Sequence, residues 1–264
     1  MQPFFFGPAE RQHYGAWHPA QGQRRRLGVL LLTSYGQETS RAYRLLRVLA
    51  ERLAMQGVDA MRFDWSGCGD SAGADDEANL SAWRQDAALA HAELLARAQP
   101  ERMVWVGVRL GATVALQAGP ALTHELVLLD PVLDGAALMH TWHQAHLHNL
   151  GERFPPTNVL QSALLQAVPD PLAGEVMGFG LSPAFAAELQ ALRPADLPLP
   201  AGCHADVLTH GETAGLASWL AAQPAGTVSH QSLPQSLPWA AMDGSGTPLV
   251  PAPVLQALLQ RCLK

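Results

Sequence analysis

The sequence predicts an α/β protein built on a parallel β-sheet with helices on both faces. Two observations carry this: short apolar runs alternate with longer segments of helical periodicity, and turn-forming glycines stand where strands should hand over to helices. Leu27 to Leu32 is an unbroken apolar run, as expected of a strand buried on both sides. From Ser40 to Gln56, Leu45, Leu46, Leu49 and Leu53 recur at helical spacing, and Gly57 marks the stop. Val58 to Phe63 reads as the next strand and runs into a turn-rich stretch ending at Gly73. A helix is expected from Glu77 to Ala98, closed by Pro100; then come a strand at Met103 to Val108, a helix at Leu110 to Ala118 and a strand at Leu126 to Leu129. Regularity lapses between Asp134 and Leu199, where Pro155-Pro156 and Pro169-Asp170-Pro171 break the pattern. It resumes with a strand at Ala205 to Thr209, a helix at Leu216 to Ala222, a weak strand at Thr227 to His230 and a helix at Val254 to Leu263.

Composition narrows the function classes. With 48% hydrophobic and 15% charged residues in 264, the chain can bury a large core and is no disordered linker. Its net charge of -6 argues against nucleic-acid binding, and Arg24, Arg25 and Arg26 form the only compact basic run. No segment has the ~18 consecutive apolar residues of a membrane span, and Met1 to Phe6 lacks the features of a secretory signal. Cys68, Cys203 and Cys262 are too few and too scattered for a disulfide framework or a zinc site. A cytoplasmic protein is expected, with no cofactor or metal.

The most informative stretch is Gly107-Val108-Arg109-Leu110-Gly111, where a strand enters and a helix leaves at once. Glycines permit the sharp turn, which lifts the central side chain to the carboxyl edge of the sheet, and the helix start offers unpaired N–H groups. This is the shape of a nucleophile elbow, normally Gly-x-Ser-x-Gly, with Arg109 at its centre. A guanidinium is permanently cationic and cannot attack a carbonyl.

With this elbow the chain resembles the α/β-hydrolase superfamily, and it is most similar to the exosortase A system-associated hydrolase type 2 family. The resemblance runs over positions 27 to 215. Its landmarks are Gly67-Cys68-Gly69-Asp70-Ser71-Ala72-Gly73, Trp83 with Asp86, the Arg109 elbow, Leu128-Leu129-Asp130-Pro131-Val132 and the segment from Gly174 to Ala186. It implies a mostly parallel eight-stranded sheet, and with the lapse of regularity read as an inserted lid at 134–200, one α/β-hydrolase domain over residues 1–264 is expected. It also implies an oxyanion hole at the backbone N–H groups of Leu110 and of Tyr35 or Gly36. The acid would be Glu212 after the strand ending at Thr209, or Asp130 one strand earlier; no histidine lies between Leu237 and Pro251, where the base is usual, and His230 falls too early. His210, at a strand end beside the expected site, is the remaining base candidate.

Two functions stay open. One is hydrolysis of an acyl ester or thioester in an exopolysaccharide or exosortase setting, with water activated by His210 or a carboxylate. The other is a non-catalytic homologue that binds an acyl or anionic small molecule, or a protein partner, with Arg109 as the clamp. Arg109 could equally pair with Asp130 or Glu212 and fill the elbow. Cys68, Ser71 and Ser34 are possible substitute nucleophiles, but a turn-shaping role is preferred for them because no base is visibly paired with any. His140, His143, His146 and His148 read as part of an amphipathic lid helix in preference to a metal site.

Overall fold

The computed structural model describes residues 1–153, 174–234, 237, 239 and 250–264, with the backbone alone at 151–153. The main sheet has eight strands: β1 (Gln2–Phe6), β2 (His13–His18), β3 (Leu27–Leu32), β4 (Asp59–Phe63), β5 (Arg102–Val108), β6 (Glu125–Leu129), β9 (His204–His210) and β10 (Val228–Leu233). Their spatial order is β1-β2-β4-β3-β5-β6-β9-β10. Strands β1 and β2 run antiparallel to their neighbours, and the other six are mutually parallel. β7 (Gly174–Val176) and β8 (Phe179–Leu181) form a separate hairpin.

The two-residue period of the strands divides the core. On β3, Val29 and Leu31 join one apolar layer and Leu30 and Leu32 the other; on β5, Val104 and Val106 oppose Trp105. The first layer is closed by α1 (Gln37–Met55) and α7 (Ala252–Cys262). Leu45, Leu46, Leu49 and Leu53 of α1 are all buried there, each worth about 2 kcal/mol of apolar burial. α2 (Leu80–Ala98) and α3 (Leu110–Ala118) close the second layer around Trp65, Trp83 and Trp105. Between β6 and β9 lie α4 (Gly135–Arg153), the β7–β8 hairpin and α5 (Pro183–Ala191); α6 (Leu216–Ala222) joins β9 to β10.

The expected strands and helices are present, with shifted ends. α1 begins at Gln37, directly after Gly36 at φ 60°, three residues ahead of the expected Ser40. α2 begins at Leu80 because Asp75–Glu77 form a separate 3-10 turn and Asn79 caps the helix, its side chain accepting from the Ala82 N–H at 2.7 Å. β1 and β2 went unread from local pattern: Gln2–Phe6 and His13–His18 lack apolar–polar alternation, and β1 sits at the sheet edge with Phe5 exposed. The Pro155-Pro156 and Pro169-Asp170-Pro171 stretches lie outside the described residues.

Candidate active site

Arg109 occupies the turn between β5 and α3 with φ 55° and ψ -119°. The chain can turn so tightly because a side chain is missing on either side. A Cβ on Gly107 would lie 2.5 Å from the Ala112 Cα, and one on Gly111 would lie 2.4 Å from the carbonyl oxygens of both Leu32 and Thr33. Asp130, following β6, also has positive φ, at 46°. Such non-glycine conformations cost about 1–3 kcal/mol each and persist where surrounding bonds over-determine them. Here the Arg109 N–H donates to the Leu129 carbonyl at 3.0 Å, and the Asp130 N–H donates to the Leu208 carbonyl at 2.8 Å. Two neighbouring strands therefore present strained residues side by side at their carboxyl ends.

The Arg109 side chain is committed to Glu38, not to Asp130 or Glu212 as the sequence suggested. Nε donates to Glu38 Oε2 and NH2 to Oε1, both at 3.0 Å, in a bidentate pair. Glu38 lies in the first turn of α1 and is fully buried; it also accepts from Ser34 Oγ at 2.8 Å and from the Trp142 indole at 3.4 Å. Burial opposes the charge on Arg109, but the Glu38 carboxylate more than offsets this, and the guanidinium pKa is raised. NH1 reaches only the backbone carbonyl of Asp130, at 3.3 Å. Three of the five guanidinium N–H groups are thus used among the described residues.

Asp130 holds His210. One carboxylate oxygen accepts from the His210 backbone N–H at 2.6 Å; the other lies 2.7 Å from His210 Nδ1 and accepts from the Trp239 indole at 2.7 Å. An acid that receives Nδ1–H fixes the tautomer in which Nε2 carries the lone pair. Nε2 is buried and has no hydrogen-bond partner among the described residues. Arg109, Asp130 and His210 share the wall of a cavity of about 250 Å³, with Asp134, Leu138 and Trp239 further round it. Glu212 and Thr141 are exposed, so they form its mouth.

The side chains of the other expected residues do not line this cavity. Tyr35 turns its ring into an aromatic cluster with Trp83, Trp142 and Phe185, and its hydroxyl donates to the Gly180 carbonyl. Gly36 faces the Phe179 ring, and Leu110 is buried in the core below the turn. Cys68 has its thiol pushed up to about 12, by burial first and by Asp64 second, which disfavours the thiolate. Ser71 Oγ donates to the Asp64 carbonyl at 2.6 Å and accepts from the Tyr14 N–H at 3.0 Å, a turn-shaping role. His146 Nδ1 accepts from the Met177 N–H at 2.8 Å, and no metal-ligating group of three occurs among the described residues. His230 pairs with Thr209 on the sheet.

Sequence reasoning missed Glu38 and Trp239. Glu38 falls ahead of the expected helix start at Ser40; its one signal is a carboxylate just past a buried strand in a chain with a lone arginine at the elbow. Trp239 had none, lying far from Asp130 in sequence.

This strand order, with a strained turn after the fifth strand and an Asp–His pair at the sheet's carboxyl edge, defines an α/β-hydrolase fold. The chain belongs to the serine aminopeptidase S33 family (Hydrolase_4), whose model matches residues 26–172. Among solved structures it is similar to Est1E from Butyrivibrio proteoclasticus with bound ferulic acid, at 15% identity and a TM-score of 0.61 over 99% of this chain and 100% of that one. It is likewise similar to mouse alpha/beta hydrolase domain-containing protein 10, at 16% identity and a TM-score of 0.60 over 98% and 96%. A putative hydrolase from Agrobacterium vitis S4 aligns at 19% identity, with a TM-score of 0.58 over 98% and 95%. These likenesses establish the fold. No curated protein matches the chain.

Proposed function

We propose that the protein hydrolyses short acyl esters or thioesters without an acyl-enzyme, Arg109 standing where the family's serine nucleophile would be. The observation that carries this reading is His210, clamped through Nδ1 by Asp130 while its buried Nε2 stays unpartnered beside the cavity. In this scheme Nε2 takes a proton from water as the water oxygen bonds to the acyl carbon. Negative charge then develops on the former carbonyl oxygen, and the unused N–H groups of Arg109 stabilise it. As the tetrahedral species collapses, the C–O or C–S bond breaks and His210 returns the proton to the departing alcohol or thiol. The backbone N–H groups of Leu110 and of Tyr35 or Gly36, which the resemblance offers as oxyanion donors, would share that role with Arg109. Glu38 holds the guanidinium in place.

The scheme includes a single domain with residues 134–200 as a cap, a cytoplasmic location suggested by three free cysteines, and an exopolysaccharide or exosortase setting that rests on the motif resemblance. No helix among the described residues is long and apolar enough to cross a membrane. The test is turnover of p-nitrophenyl acetate and of an acetyl thioester by the wild type, His210→Gln and Asp130→Asn. Losses of about 100-fold or more are expected for His210→Gln; wild-type rates in either variant would overturn the assignment.

A second reading has its own observation. Arg109 is locked to Glu38 at the elbow, so no nucleophilic side chain stands there, which favours a protein that only binds its ligand. It predicts ligand binding with no turnover by the wild type.

A further inference from the structure

The charges around the cavity specify which ester fits, an inference that rests on the His210 hydrolase reading. Arg109 is the only permanent cation among the described residues lining the cavity, and its counter-charge is the fully buried Glu38 behind it. Three more carboxylates, Asp130, Asp134 and Glu212, line the same space. Asp130 is spent on His210 and Trp239. Asp134 gives one oxygen to the Ala137 N–H at 3.0 Å, capping α4, while Glu212 stands exposed at the mouth with no pairing among the described residues. An acid cluster alone would mean little, but the unpartnered Nε2 of His210, on a side chain only 2% exposed, places a reacting group at the inner end of the same cavity.

We propose that the site selects esters whose alcohol portion carries a positive charge and discriminates against anionic ones. The acyl group would sit inward, between His210 Nε2 and the free N–H groups of Arg109. The departing alcohol would then extend toward the mouth, past Thr141 to Glu212 and Asp134, where an ammonium group meets uncompensated negative charge and a carboxylate or phosphate meets repulsion. Trp239, whose indole donates to Asp130, borders the same wall. The volume of about 250 Å³ keeps both halves of the ester small. This reverses the expectation that Arg109 would clamp an anion, because Glu38 already holds that charge.

The test compares three acetate esters of similar size: acetylcholine, its uncharged isostere 3,3-dimethylbutyl acetate, and 3-acetoxypropanoate. The cationic ester should exceed the neutral one in kcat/KM by about tenfold at low salt and the anionic one by more, and the ratios should shrink as salt rises. In Glu212→Gln the cation-to-neutral ratio should fall to about threefold or less; Asp134→Asn, which keeps an oxygen for the cap, should lower it too. Equal rates for all three esters, or a preference for the anion, would overturn the proposal. A binding arm separates this question from hydrolysis. In titrations of choline against 3,3-dimethylbutanol, tighter choline binding weakened by Glu212→Gln supports the charge selection even if no ester is turned over, and equal binding refutes it.

Discussion

Replacing Glu38 with alanine probes the arrangement above the elbow most sharply. In the wild type, Arg109 is 16% exposed at its side chain and Glu38 not at all, so water can compensate little if either partner is lost. Removing one member of a buried ion pair costs about 3–5 kcal/mol, because the remaining charge is left without a partner. The substitution also strips acceptors from Ser34 Oγ and the Trp142 indole. Since about 1 kcal/mol lowers the melting temperature of a domain this size by roughly 2–4 °C, Glu38→Ala should melt roughly 10 °C below the wild type. Urea unfolding supplies the free energy directly. The double variant Glu38→Ala/Arg109→Leu should be more stable than Glu38→Ala alone, as it removes the stranded cation. A single variant within about 1 kcal/mol of the wild type, or a double variant showing simple additivity, would refute the claim that the pair is a buried, mutually dependent unit.

The remaining predictions concern pH and the tight turn. His18 is held at about 4, first by burial and then by the Arg62 guanidinium, against an ordinary value of 6.5. Between those limits the unfolded chain binds a proton at this ring that the folded protein refuses, so stability is present above pH 6.5 and lost as pH falls toward 4. The loss should reach up to about 3 kcal/mol and be absent from the pH profile of His18→Gln; parallel profiles from pH 7 to 4.5 would contradict it. Gly111→Ala drives a methyl group into two backbone carbonyls, and soluble yield together with thermal melting should show the chain unfolded or destabilised by about 3 kcal/mol or more. A near-native melting temperature would show that the elbow can open.

What the sequence disclosed follows from how local each signal was. Buried parallel strands such as Leu27–Leu32 and Met103–Val108 announce themselves because both faces are apolar, and the Gly107 and Gly111 pair shows the turn because nothing larger fits. β1 and β2 lack any such pattern, and the resemblance, which implied eight strands, placed none of them before residue 27. At the site, Arg109, Asp130 and His210 were legible because all three sit at strand ends, where a parallel sheet gathers its side chains. Their pairing was not legible. The choice of Glu38 as the arginine's partner, 71 residues earlier, and of Trp239 as a donor to Asp130, 109 residues later, is set by tertiary packing and leaves no trace in local spacing.

In the proposed mechanism water attacks the ester directly, with His210 as base and no covalent intermediate. Rapid-quench mass spectrometry of the intact wild-type protein during steady-state turnover of p-nitrophenyl acetate addresses that claim most directly. Turnover with the protein at its unmodified mass throughout is the predicted result. An acetyl adduct accumulating on a serine or cysteine at levels approaching one per chain would contradict it.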